Sequence, residues 1–119
     1  MEKTFEINGK KVVILRDTYN YNGRLALLAF CADGEEAGEL YADLTINLPQ
    51  LSCDTNEGFL SADTENASVL LKKWGFGKPL RKIRYNWGEY DMFAFNKEAV
   101  ERLTYTDNEL REAFEAECA

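Results

Sequence analysis

A chain of 119 residues and 13.6 kDa has room for one domain and not two, so residues 1–119 are read as a single unit. With 45% hydrophobic and 13% aromatic residues it can close a core without disulfide or metal staples. Twenty-one acids, 14 bases and no histidine give a net charge of −7; the missing imidazole excludes Ser-His-Asp, Cys-His and His-metal chemistry, and the acidic balance disfavours general binding to nucleic acid or anionic membrane.

The first half reads as strands. Phe5 and Ile7 alternate with polar neighbours up to Asn8-Gly9, a dipeptide that accepts the positive φ of a tight hairpin turn. Lys11 to Arg16 is the return strand, rich in Val and Ile. Asn22-Gly23 marks a second turn ahead of Arg24 to Phe30, which is apolar on both faces and therefore belongs in the middle of a sheet. From Glu39 to Leu48, the residues Leu40, Ala42, Leu44, Ile46 and Leu48 alternate with Glu39, Tyr41, Asp43, Thr45 and Asn47. That period of two predicts one long strand with one face on a core, ended by Pro49.

The second half mixes types. Residues 49–62 form a loop with a short strand at Gly58 to Leu60, and Asp63 or Thr64 caps a helix running through Trp74. In it Ala67, Leu70, Leu71 and Trp74 make one apolar stripe, and Gly75 supplies the left-handed residue beyond its end. Leu80 to Tyr85 and Tyr90 to Phe95 pair as a hairpin across Asn86-Trp87-Gly88-Glu89. Asn96 caps a helix over 97–103, and Thr106 or Asp107 caps a last helix whose apolar side is Leu110, Ala113 and Phe114. The expected class is α+β: an antiparallel β-meander of four to six strands with two or three short helices packed on one side.

Cys31, Cys53 and Cys118 have neither zinc nor C-x-x-C spacing and do not make an even-numbered disulfide set. They are read as reduced thiols, which places the protein in the cytoplasm. The residues after Met1 lack the apolar stretch of a signal peptide, and the longest apolar run, Leu25 to Ala32, is too short to cross a bilayer. No membrane association is expected.

Several segments resemble a small bacterial family known only as a domain of unknown function. They are Lys3-Thr4-Phe5-Glu6-Ile7-Asn8-Gly9-Lys10, Tyr21-Asn22-Gly23-Arg24-Leu25-Ala26, Thr45-Ile46-Asn47-Leu48-Pro49, Trp74-Gly75-Phe76-Gly77-Lys78-Pro79 and Phe93-Ala94-Phe95-Asn96. The likeness covers about residues 3–103 and departs from the family around Asp63 to Ala67 and Arg81 to Tyr85. That family is common on conjugative elements of gut anaerobes, so the resemblance implies an accessory protein of a mobile element. It carries no known catalytic or binding residues to transfer.

Charge layout is the most unusual feature. Between Arg24 and Lys72 there is no lysine or arginine, while Asp33, Glu35, Glu36, Glu39, Asp43, Asp54, Glu57, Asp63 and Glu65 all fall in that window. Such a surface attracts cationic partners, although it also serves solubility. A basic block follows: Lys72, Lys73, Lys78, Arg81, Lys82 and Arg84, bordered by Trp74, Phe76, Tyr85, Trp87 and Tyr90. Basic residues beside stacking aromatics suit single-stranded nucleic acid. Against this, Trp74 lies on the helix's apolar stripe, and Lys72 and Lys73 favour the helix C-terminus. Tyr21 and Trp87, each beside a tight turn, are of the type that anchors interfaces, or else each folds back over an end of the sheet to bury its ring. Asp54-Thr55-Asn56-Glu57-Gly58 superficially suggests a calcium loop, but its glycine stands at position five rather than six, and turn chemistry explains the same residues.

The expectation is a non-enzymatic, acidic binding protein with no cofactor, metal or catalytic residues. Its protein-binding set is Asp33, Glu35, Glu36, Glu39, Asp43, Asp54, Glu57, Tyr21 and Trp87. The partner is a basic protein surface, most concretely that of a host defence nuclease inhibited in the anti-CRISPR or anti-restriction manner. The alternative is a nucleic-acid-binding module using Lys78, Arg81, Lys82 and Arg84 within residues 72–87. The bipolar charge layout also leaves a homodimer open.

Overall fold

The computed structural model describes residues 2–118 and has two four-stranded antiparallel sheets with three helices. The first sheet is a meander of β1 (Phe5–Ile7), β2 (Lys10–Thr18), β3 (Leu25–Cys31) and β4 (Leu40–Asp43), in that spatial order. The second contains β5 (Thr45–Ile46), β6 (Glu57–Leu60), β7 (Gly77–Tyr85) and β8 (Gly88–Phe95), ordered β5-β6-β8-β7. The helices are α1 (Ala67–Lys73), α2 (Lys97–Leu103) and α3 (Asp107–Cys118). The fold is α+β, as expected.

Local chemistry explains most of the ends. Asn8 and Gly9 take φ of 51° and 79°, as a two-residue turn between right-twisted strands requires. Asn96 Oδ1 accepts the Ala99 N–H at 3.0 Å and starts α2. Before α3, Thr106 Oγ1 accepts the Glu109 N–H while Glu109 Oε1 accepts the Thr106 N–H, a reciprocal capping box. These bonds to its ionised form hold the Glu109 carboxyl below the usual carboxylate range. At the end of α1, the Gly75 N–H reaches the Lys72 carbonyl and the Phe76 N–H reaches that of Leu71, with Gly75 at φ 90°.

Two boundaries around the core differ from the sequence reading, and so does the β7–β8 turn described below. The helix expected from Asp63 or Thr64 starts at Ala67, behind a left-handed Asn66 that makes no side-chain cap. Thr64 is buried, and its hydroxyl donates to the Asp43 carbonyl at 3.0 Å, so its capping group is spent on tying the loop to β4. The ten-residue strand expected over Glu39–Leu48 is also divided. At Leu44 the chain changes sheets: the Leu44 N–H donates to Leu27 of the first sheet, and its carbonyl accepts from Ser61, which follows β6 of the second. Leu44 and Leu48 are buried, but Leu40 is 52% exposed. The register against β3 shifts by one residue between Ala42 and Leu40, and such a slip exchanges the faces of every residue beyond it.

β2 is apolar on both faces, and that arranges the helices. Val12 and Ile14 join Leu27, Leu44, Leu71, Phe76, Phe93 and Val100 in the main core, under α1, α2 and the second sheet. Val13 and Leu15 point the other way, against Leu110 and Phe114 of α3. The helices therefore cover both faces of the first sheet. Trp74 packs with Phe5 and Phe76, ring centroids 4.7 and 6.2 Å away, so it is a structural residue.

Candidate functional site

Three surface features remain once the core is accounted for. The first is the β3–β4 loop, where Asp33, Glu35, Glu36 and Glu39 are all exposed. Lys10 and Lys11, at the start of β2, reach across to it: Lys10 Nζ lies 2.9 Å from Glu36 and Lys11 Nζ 3.8 Å from Asp33. The carboxylate beside Lys10 raises that ammonium's pKa. Two lysines against four carboxylates leave the loop net negative. Leu40 and Tyr41 follow directly on β4, an outer strand of the first sheet, and both are exposed. Asp43, at the end of β4, is half-buried.

The second feature is a cleft of about 570 Å³ at the far end of β3. With a rise of about 3.3 Å per residue, the seven residues of β3 separate it from the acidic loop by roughly 20 Å. Its apolar lining is Leu25 with the buried Phe95 and Val100, Asp17, Asp54, Glu57 and Glu101 contribute carboxylates, and the exposed Lys97 stands among them. Two arginines also line it, but their guanidinium groups are committed to the fold. Arg24 donates to the Leu48 and Leu51 carbonyls, and Arg16 to Thr104. The loop over 54–57 closes on itself, with the Asp54 N–H donating to Glu57 Oε1 and the Glu57 N–H to the Asp54 carbonyl. Cys53 lies half-buried there; its thiol donates to the Glu57 carbonyl at 3.3 Å, and burial pushes its pKa up. Cys31 is buried and unpaired, and the Cys118 side chain lies outside the described residues. Tyr21 stands 81% exposed in the β2–β3 turn, next to Asn22 and Gly23 of the cleft wall.

The third is the β7–β8 hairpin. Tyr85 pairs with Gly88, so the turn is two residues, Asn86 and Trp87, rather than the four expected. Both have positive φ, 45° and 68°. Asparagine tolerates this region, whereas a bulky side chain there is a steric outlier. Every other positive-φ position among the described residues is Asn or Gly. Trp87 shows 107% relative exposure, so its indole gains nothing from packing in return.

The sequence treated the nine acids of residues 33–65 as one window. The structure places Asp33, Glu35, Glu36 and Glu39 at one end of the first sheet and Asp54 and Glu57 at the other, with Asp43 between. Of the basic block, Lys82 is engaged by Asp91 at 2.8 Å and Glu89 at 3.8 Å, which raises its pKa, and Arg84 stands in register with Glu89. Lys78 and Arg81 are exposed along the same strand. Cross-strand carboxylates thus dilute the positive charge that the linear sequence concentrates. The cleft went unread because its walls come from four separated segments.

The family profile for the domain of unknown function DUF4313 matches residues 14–118. The chain belongs to that family. The match begins inside β2 and runs through α3, so the family unit includes the second sheet and all three helices, and extends past residue 103, where the likeness read from the sequence stopped. No curated protein and no solved structure matches the chain. Among the described residues of this DUF4313 protein, no helix is long and apolar enough to cross a membrane.

Proposed function

We propose that this DUF4313 protein is a non-catalytic binding protein of the cytoplasm that docks the β3–β4 loop on a cationic protein surface. The observation that carries the reading is the four exposed carboxylates of Asp33, Glu35, Glu36 and Glu39, followed by the exposed Leu40 and Tyr41. Charge at the rim of an interface steers encounter, and apolar or aromatic groups beside it supply the desolvated contact that holds it. The lysine contacts to Glu36 and Asp33 leave Glu35 and Glu39 for the partner and help order the loop.

The most concrete partner is the nucleic-acid channel of a host nuclease, which would be blocked by a protein carried on a bacterial mobile element. The source of this finer reading is the sequence resemblance together with the acidic loop. Nucleic-acid binding through Lys78, Arg81, Lys82 and Arg84 is the weaker reading, since Lys82 and Arg84 stand beside carboxylates.

The test compares capture from host lysate by the tagged wild-type protein and by a Glu35→Lys, Glu36→Lys, Glu39→Lys variant, washed at two salt concentrations. A basic protein retained by wild type, released by salt and absent from the variant's eluate supports docking. Equal capture by both proteins refutes it.

A further inference from the structure

The β7–β8 register sorts the basic block of the sequence onto two faces of the hairpin. Opposite residues of an antiparallel pair share a face, and faces alternate along each strand. Lys82 pairs with Asp91 and Arg84 with Glu89, so one face carries cations and carboxylates in equal number, and Lys82 is bridged to both acids. On the other face Ile83 pairs with Tyr90 and Tyr85 with Gly88. A Cβ on Gly88 would lie 3.1 Å from the Tyr90 ring, so that ring leans over the turn end of the hairpin. Leu80 and Arg81 fall together opposite Met92, where the register shifts. Alternation from Pro79 on one side and Lys82 on the other puts both on the face of Tyr85 and Tyr90. Lys78, opposite Ala94, joins them there.

This second face sets aromatic rings beside cations, with no carboxylate from either strand. Ile83, Tyr85 and Tyr90 are half-buried against Leu48, Phe59 and Met92, and no helix takes part in that cluster. Lys78 and Arg81 are exposed and form no ion pair among the described residues. Glu57 shares the row of Lys78 and Ala94 but lies two strands away, about 10 Å. Its Oε1 already accepts the Asp54 N–H. Trp87 follows Tyr85 at the tip, fully exposed and held at a φ of 68°.

We propose that this face binds single-stranded nucleic acid, with Trp87 and the adjoining tyrosines stacking on bases while Lys78 and Arg81 meet phosphates. An acidic protein would use the cations alone. A single strand also uses the rings, because it offers flat bases and anionic groups in regular alternation. From Lys78 to Tyr85 the face runs roughly 20 Å, room for on the order of four nucleotides. The acids of the β3–β4 loop belong to the other sheet. The proposal rests on the nucleic-acid reading of the basic segment and narrows it to two cations and one aromatic face. It is independent of docking by the acidic loop.

The experiment is a titration at low salt with an oligothymidine of about fifteen nucleotides, followed by its anisotropy and by tryptophan emission. Trp74 is packed against Phe5 and Phe76, so quenching on binding reports Trp87 stacked on a base. The expected complex weakens with salt at a log–log slope of about −1.4, that of two phosphate contacts on a single strand. Lys78→Ala with Arg81→Ala flattens the slope toward zero. Trp87→Ala weakens binding roughly fivefold or more and abolishes the quenching. All three side chains are exposed, so these variants keep the fold, as circular dichroism will show. Lys82→Gln, Arg84→Gln, Glu89→Gln and Asp91→Asn together strip the opposite face of charge at constant net charge and leave affinity within about twofold. Equal loss in that variant overturns the face assignment while nucleic-acid binding by the segment stands. No binding at micromolar protein overturns both and leaves the acidic-loop docking untouched. A complex indifferent to Trp87→Ala overturns the stacking role and with it the proposal. So does displacement by polyglutamate as effective as by unlabelled oligothymidine, which assigns the face to an acidic protein. An emission change that grows with protein concentration alone assigns the face to a second copy and overturns it as well.

Discussion

Replacing Trp87 by glycine should make the monomer more stable, an unusual outcome for deleting a tryptophan. The side chain is wholly exposed, so no apolar burial is lost. The backbone at φ 68° is the region where a Cβ crowds the following carbonyl, at a cost of about 1–2 kcal/mol for an L-residue. Glycine removes that strain but frees the unfolded chain, which returns roughly 0.4–1 kcal/mol. The net gain lies between about 0 and 1.6 kcal/mol, with a middle value of about 0.8 kcal/mol that corresponds to roughly 3–4 °C in Tm for a domain of this size. Trp87→Ala keeps the strain and should stay within about 0.5 kcal/mol of wild type. Urea unfolding reads both variants against wild type. A Trp87→Gly protein less stable than Trp87→Ala would show that the turn is not strained, since only the entropy cost of glycine would then remain. Loss of more than about 1 kcal/mol in both variants would show that the indole packs somewhere in the monomer.

Leu44→Ala should cost about 2–5 kcal/mol, because Leu44 is fully buried where the chain passes between the sheets and the cavity left there has walls from both; thermal unfolding that barely moves would refute its place in the core. Gly77→Ala should cost at least about 3 kcal/mol. Gly77 has φ 150°, and a Cβ there overlaps the Ala94 carbonyl oxygen on the neighbouring strand. A soluble, cooperatively unfolding Gly77→Ala protein with wild-type midpoint would show that β7 and β8 do not approach so closely.

Local signals were legible wherever one residue's conformational preference decides the outcome. Asn8-Gly9, Gly75 and Asn96 ended or began elements as expected, since a positive φ or a cap needs only that residue and its neighbours. Glu39–Leu48 failed for the opposite reason. Alternation shows that a segment is extended; it does not say which strand it pairs with, and the change of partner at Leu44 leaves no mark in a pattern of period two. Thr64 failed because a hydroxyl that suits a helix cap suits a tertiary bond to Asp43 equally well. For the candidate sites, exposure was predictable at Asp33, Glu35, Glu36 and Glu39, whose loop sets acids among Gly34, Ala37 and Gly38 with no large apolar side chain. The separation of Asp54 and Glu57 from them was not, because it follows from where the second sheet meets the first, and the pairing of Lys82 with Asp91 depends on the register of the β7–β8 hairpin.

Trp87 is informative because local preference and tertiary structure disagree there. A natural sequence is locally consistent nearly everywhere, and its departures concentrate where a residue has a task besides folding. This chain places Asn or Gly at every other described position that needs positive φ, and Asn86-Trp87 stands where Asn-Gly would be the easier turn. The acidic loop shows the same tension in charge. Four carboxylates on one short loop repel one another, and Lys10 and Lys11 relieve only part of that repulsion. An aromatic tip on a strained turn and an under-neutralised loop each cost the isolated molecule some stability. A cationic surface laid over the loop would relieve the second of these costs. The two features sit on different sheets and use different physics: steric strain in the Trp87 turn and charge repulsion in the acidic loop.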